Sequence, residues 1–324
     1  MTSSRPIRTE LVRPFGPCGQ RPAISKMSAK RRGSSRGRAK GWAMDVLVSA
    51  GWLAGHLGDP RLRVFDATVQ VRRRLFVPTV RTGERQWRRE HIPGSVFASL
   101  FALSDPARPR RSLTMPPAEQ FAAVIGALGV SDDSHVVIYD RRENMWAARL
   151  WWMLRTFGFD HAAVLDGGWT AWRQGGYPLC SDPCTYPPGT VTASLRPELV
   201  ATKQDVLGAI GNPDTCLINA LGRRQHRGEV NEYGRRGHIP GSRNVTAWEI
   251  LDRKTQRYRE LPELRHKVGP ALDASQIITY CGAGAAAASL AHVLVRLGHP
   301  RVAVYDGGLL EWCADRRLPL ELGT

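Results

Sequence analysis

Cys281 ends the apolar run Ile277-Ile-Thr-Tyr280 and opens the segment Cys281-Gly-Ala-Gly-Ala-Ala-Ala287. A thiol acts as a nucleophile only as its thiolate. A loop of small residues leading from a strand into a helix suits that need. Its backbone N–H groups can converge on one anion, and the dipole of the following helix favours negative charge. Gly282 and Gly284 permit the backbone angles of such a cradle, so Gly282, Ala283, Gly284, Ala285 and Ala286 are the expected amide donors. The expected consequence is a Cys281 pKa drawn down from about 8.5 toward neutrality. The chemistry in prospect is covalent transfer through sulfur, with no metal and no organic cofactor. Phosphoryl transfer is a poor fit. A Cys-dependent phosphatase needs an Arg six residues after its nucleophile, and that position holds Ala287.

The remaining cysteines, at 18, 180, 184, 216 and 313, are spread irregularly. This argues against a disulfide framework and fits a reducing cytosol. Cys180 and Cys184 stand in Cys-x3-Cys spacing without a second ligand pair, so no zinc site is expected. Cys216 and Cys313 lie in apolar, patterned surroundings and read as core residues.

The elements that must position Cys281 are visible because the chain repeats itself at a spacing of about 140 residues. His91-Ile-Pro-Gly-Ser95 recurs as His238-Ile-Pro-Gly-Ser242, and Val136-Val-Ile-Tyr-Asp140 is echoed by Ile277-Ile-Thr-Tyr-Cys281. Val164-Leu-Asp-Gly-Gly-Trp-Thr-Ala-Trp172 returns as Val304-Tyr-Asp-Gly-Gly-Leu-Leu-Glu-Trp312, and the copies close at Pro178 and Pro319. Within each copy, short apolar runs read as buried parallel strands. Helix-compatible stretches over Trp146–Phe157 and Ala285–Leu297 are followed by Gly158 and Gly298 at the C-cap position. Strand, helix, strand in this rhythm predicts an α/β fold of two tandem domains, each a mainly parallel sheet flanked by helices. The boundaries fall at 44–180 and 199–324, joined by a linker over 181–198 rich in turn formers. Thr202 is expected to cap a helix with Asp205 in its first turn. The first copy carries Asp140 where the second carries Cys281.

The duplicated His-Ile-Pro-Gly motifs, the Asp-Gly-Gly-x-x-x-Trp turns and the single Cys-Gly-x-Gly loop together resemble the tandem rhodanese family over roughly residues 44–324. The resemblance implies that Cys281 accepts a sulfane sulfur as a persulfide. The donor would be a small anion, 3-mercaptopyruvate or thiosulfate. The acceptor would be cyanide or a thiol such as thioredoxin or a low-molecular-weight thiol. The uncharged loop follows the mercaptopyruvate-preferring branch in its glycines, but Ala283 and Ala286 stand where that branch has hydroxyls. Family members show Asp-Ala-Arg-x-x-x-Arg after the first strand of the second domain, with both Arg holding the donor's anionic end. Here Asn219, Leu221 and Gln225 replace the Asp and the two Arg. Arg223, Arg224 and Arg227 are the nearby substitutes for that contact. His91 matches a position that the mercaptopyruvate branch uses between its domains. The alternative is a degenerate rhodanese pair serving as a sulfur carrier or partner-binding module, and persulfide formation on Cys281 separates the two.

The formal charge of +17 is concentrated in residues 1–43, which hold eleven Lys or Arg against Glu10. That tail reads as a disordered basic extension or as sequence upstream of a start at Met27 or Met44. Its acid-poor, Arg- and Ser-containing character also resembles an organellar transit peptide, and it lacks the apolar core of a secretory signal. Nucleic-acid binding is not expected of the body of the chain, which is only modestly basic. No stretch approaches the roughly 20 apolar residues needed to span a bilayer. A cytoplasmic location is the expectation.

Overall fold

A computed structural model describes residues 45–73, 78–109 and 112–323. The basic tail, with Cys18, Met27 and Met44, lies outside the described residues.

The first repeat runs β1 (Leu47–Val48), α1 (Ala50–His56), β2 (Leu62–Asp66), a hairpin of β3 (Val69–Arg73) and β4 (Pro78–Thr82), α2 (Glu84–Trp87), β5 (Ser95–Phe97), α3 (Ala118–Ala127), β6 (His135–Tyr139), α4 (Met145–Thr156), β7 (Ala162–Leu165) and α5 (Gly168–Gln174). The second runs β8 (Val200–Ala201), α6 (Lys203–Ala209), β9 (Thr215–Asn219), α7 (Arg223–His226), β10 (Arg243–Asn244), α8 (Leu261–Val268), β11 (Gln276–Tyr280), α9 (Ala285–Arg296), β12 (Val302–Tyr305) and α10 (Gly308–Ala314). Their sheets are ordered β1-β7-β6-β2-β5 and β8-β12-β11-β9-β10, and every pairing is parallel. One topology has been used twice.

Helices cover both faces of each sheet, which is why the central strands read as continuous apolar runs rather than as alternation. His135–Tyr139 is buried at every position. α6 starts with the expected reciprocal cap: the Asp205 amide donates to Thr202 Oγ1, and the Thr202 amide donates to the Asp205 carboxylate. Gly158 (φ +88°) and Gly298 (φ +83°) end α4 and α9 in the left-handed conformation that glycine adopts without steric cost. The repeated His-Ile-Pro-Gly motif has the same structural task in both copies. His91 is bridged by its backbone to Cys180, and His238 to Glu321, so each motif ties down the segment that closes its repeat.

Residues 181–196 are bound along the first repeat rather than spanning free space. Tyr186 Oη donates to the Gly94 carbonyl at 2.6 Å, the Gly189 amide donates to Gly126, and Arg196 pairs with Asp160 at 2.6 Å. The two repeats meet through α4 and α9, and one apolar core runs through both. Trp151 meets the His292 ring edge-on at 4.6 Å. Two aspartates make reciprocal contacts across the junction. The Tyr258 amide donates to Asp166 and the Met115 amide donates to Asp306, each at 2.9 Å. These are the aspartates of the two Asp-Gly-Gly turns.

Candidate active site

Cys281 sits at the carboxyl end of β11, where an open parallel sheet presents ligands. It is 3% exposed. The backbone amides of Ala287, Ala283 and Ala286 turn toward its sulfur and pull its pKa down. The cradle is therefore present but centred one residue further into α9 than the sequence suggests. Two features hold its shape. Gly284 takes φ +78° at the N-cap of α9, and the turn at Gly308 (φ +53°) brings the Leu309 amide to donate to the Cys281 carbonyl at 2.8 Å. A Cβ on Gly308 would lie 2.6 Å from that carbonyl oxygen, so the approach requires glycine.

The first repeat holds the same loop with a different anion. The Asp140 carboxylate accepts the amides of Arg142, Asn144, Trp146 and Ala147 at 2.9 to 3.2 Å. The Trp169 amide donates to the Asp140 carbonyl at 3.0 Å, matching Leu309 on Cys281. A side chain that can be negative at neutral pH thus occupies the cradle in the copy whose loop carries no thiol. In both repeats the loop amides favour the charged form of the side chain while burial opposes it.

Burial pushes the Cys281 thiol above its ordinary range, against the loop amides and Arg149, which pull it down. The expected fall toward neutrality is therefore not what the closed site gives. The sulfur is dry, and the all-small loop brings neither a hydroxyl nor a charge of its own.

Arg149 comes from the middle of α4 in the other repeat. It is 1% exposed, and its Nη2 donates to the Leu113 carbonyl at 2.7 Å and pairs with Asp306 Oδ1 at 2.5 Å. Its Nη1 reaches Gly284, where a Cβ would stand 2.6 Å away. On the outer side, the Tyr233 phenol closes over Gly282, where a Cβ would meet its oxygen at 2.1 Å. A cavity of about 720 Å3 opens beside the loop, lined by Tyr233, Arg235, Leu310, Cys313 and Arg316. Its Leu310 amide donates to the Gly282 carbonyl at 3.1 Å. Among the described residues no cluster of His, Cys, Asp or Glu could hold a metal ion.

The other candidates lie apart from the sulfur. Arg223, Arg224 and Arg227 follow β9, whose Asn219 is in register with Tyr280, so they stand at the same end of the sheet as Cys281. All three are exposed: Arg223 pairs with Glu249 at 3.1 Å, and Arg224 and Arg227 both turn to Glu229. His91 is fully buried in the first repeat, its ring stacked on Trp87 at 4.7 Å and its Nδ1 at 2.8 Å from the Trp87 carbonyl. Burial lowers its pKa. His238 repeats the arrangement on His226, with rings 3.7 Å apart. Cys313 is buried, as its sequence context suggests, while Cys216 is only partly so.

Sequence reasoning missed Arg149, Asp306 and Tyr233. A signal for Arg149 was available: it is the only charge in Met145-Trp-Ala-Ala-Arg-Leu-Trp-Trp-Met-Leu154, a stretch otherwise apolar all round. Such a charge must have a buried partner.

A rhodanese-like domain model matches residues 49–175 and 225–315. The chain belongs to the rhodanese-like family. One rhodanese-like relative, the 3-mercaptopyruvate sulfurtransferase of Escherichia coli, is 35% identical over 280 residues, covering 85% of this chain and 97% of the relative. The thiosulfate sulfurtransferase of Mus musculus is 32% identical over 290 residues, covering 85% and 94%. Among solved rhodanese folds, SseA from Escherichia coli, described as a 3-mercaptopyruvate sulfotransferase, superposes with a TM-score of 0.73 at 35% identity. It covers 82% of this chain and 99% of its own. Both repeats of the rhodanese-like chain fall within these matches. Among its described residues no helix is long and apolar enough to cross a membrane.

Proposed function

We propose that this rhodanese-like sulfurtransferase moves a sulfane sulfur from 3-mercaptopyruvate or thiosulfate to a thiol or cyanide through a persulfide on Cys281. The catalytic domain is 199–324, and 44–180 is the non-catalytic wall. The observation that carries this reading is the amide cradle on the Cys281 sulfur, duplicated around the Asp140 carboxylate. A loop that accepts an anion at that point suits both the attacking thiolate and the persulfide anion that replaces it.

The step is a displacement at sulfur. Cys281 thiolate attacks the donor's outer sulfur, a new S–S bond forms, and the bond behind that sulfur breaks. With thiosulfate the S–S bond breaks and sulfite leaves with the electron pair. With 3-mercaptopyruvate the C–S bond breaks and the thiol proton ends on the departing carbon, giving pyruvate. An acceptor thiol then takes the outer sulfur and leaves Cys281 as thiolate. Thioredoxin or a low-molecular-weight thiol fits this second step. A reducing, cytoplasmic setting accords with free cysteines at all five described positions.

Arg223, Arg224 and Arg227 would receive the donor's carboxylate or sulfonate by exchanging it for Glu249 and Glu229. Exposed ion pairs are worth about 0–1 kcal/mol, so that exchange costs little. His91, enclosed in the first repeat, has no part in this mechanism.

The test is the intact mass of the protein after incubation with each donor, beside Cys281→Ser. One added sulfur that a thiol removes, absent from the variant, is the expected result. No uptake from either donor would remove the proposal and leave the carrier or binding module in its place.

A further inference from the structure

We propose that Arg149, carried by the first repeat, is a positioning residue for the sulfur on Cys281: it braces the amide loop from beneath and supplies a buried positive charge that serves it. The proposal rests on Cys281 as the sulfur-bearing residue.

Three observations converge. Arg149 is buried at the junction of the repeats, yet its Nε and Nη1 have no hydrogen-bond partner. Burying a charged group with unsatisfied donors is costly unless the charge is used. Its Nη1 lies against Gly284, the N-cap of α9, at the start of the helix whose amides hold the sulfur. Its single carboxylate partner, Asp306, is itself tied to the first repeat through the Met115 amide, which fixes where the guanidinium points. Among the described residues, Arg149 from α4, Asp306 from the turn after β12 and the Tyr233 phenol over Gly282 stand closest to the loop, and Arg235, Arg316, Glu232 and Cys313 line the cavity beside it. Arg149 is the buried cation among them, and its charge favours the thiolate. The copy with Asp140 in its loop would in this way complete the site of the copy with Cys281.

The experiment follows alkylation of Cys281 by iodoacetamide against pH, read on the Cys281 peptide by mass, in the full chain. Arg149→Met should move the midpoint up by about one pH unit, the low end of what a nearby opposite charge contributes. Arg149→Lys should return most of it. Asp306→Asn should move the midpoint down, because it removes a negative charge and frees Arg149 while keeping an acceptor for the Met115 amide. A residue that only holds the domains together would lower the unfolding midpoint in all three variants and leave the alkylation midpoint at the wild-type pH. That result overturns the proposal, as does a downward shift in Arg149→Met. Should Arg149→Met fail to fold, Asp306→Asn decides the matter by its opposite sign. Sulfur loading is measured in parallel. Failure of wild-type Cys281 to take sulfur would sink the proposed function, whereas the alkylation midpoints test Arg149 independently.

Discussion

The carboxylate twin of the active site offers a direct test of what governs charge in this loop. Asp140 is fully buried, and two forces act on it in opposite directions. Burial raises its pKa from 3.8 to about 7, while the amides of Ala147, Arg142 and Trp146 pull it down. A folded-state value above the unfolded one means that the native state binds the proton more tightly. The associated stability is fully present below pH 4 and is lost as pH rises to 7. A rise of that size corresponds to a ceiling on the order of 4 kcal/mol. The perturbation is Asp140→Asn, which keeps the shape and one acceptor but cannot ionise. The assay is the urea-unfolding midpoint of both proteins at intervals from pH 4 to pH 8. Two other carboxyls, the buried Asp66 and the half-buried Asp166, also have raised values and contribute to the wild-type slope. The difference between wild type and variant isolates Asp140. Wild type should lose ground to the variant as pH rises, by up to about 4 kcal/mol. A pH-independent difference would refute the reasoning. If wild type instead gained on the variant, the amides would outweigh desolvation.

Sulfur uptake by Cys281 should quicken with pH through and beyond the ordinary thiol range, because burial holds the thiol protonated at neutrality; stopped-flow loading with 3-mercaptopyruvate checks it, and a rate that is flat above pH 7 would contradict it. Gly308→Ala should lose most sulfur loading, since its Cβ would press on the Cys281 and Gly282 carbonyl oxygens at 2.6 and 2.7 Å. A single-turnover mass assay would show this. Arg224→Ala should change stability by less than about 0.5 kcal/mol and raise the donor KM with kcat unchanged, measured by steady-state kinetics. Trp151→Ala, at 2% exposure in the α4–α9 junction, should cost about 3–5 kcal/mol in urea unfolding.

The architecture was legible because its signals are local or repeated. Parallel strands buried on both faces leave unbroken apolar runs, and Val136–Tyr139 and Ile277–Tyr280 are such runs. Gly158 and Gly298 mark helix ends by a conformation few other residues accept. The loop around Cys281 was legible for the same reason: strand, loop and helix are consecutive in the chain. What the sequence could not convey depends on pairs of residues far apart in it. Arg149 and Asp306 are brought together only by the docking of the repeats. The fate of Arg223, Arg224 and Arg227 turned on Glu249 and Glu229, which no spacing rule links to them. The thiol's protonation was misjudged because a cradle's pull can be seen in a motif, whereas the desolvation opposing it comes from the whole surrounding fold.

The two loops also suggest a use for a repeat whose loop carries no thiol. The Asp140 carboxylate caps the start of α4 by taking the amides of Asn144, Trp146 and Ala147. That fixes the first turn of the helix, and Arg149 follows within the next turn. Disturbing the carboxylate would therefore move the guanidinium that lies under Gly284. Under the proposed function, the equivalent amides of the second repeat serve sulfur in two states, thiolate and persulfide, so a permanent carboxylate there would block the reaction. Duplication separates two demands that one loop cannot meet: one copy fills its cradle and is rigid, and the other leaves its cradle to the reacting atom. On the proposed reading the first repeat is in this sense part of the active site, with Asp140 anchoring the helix that reaches across.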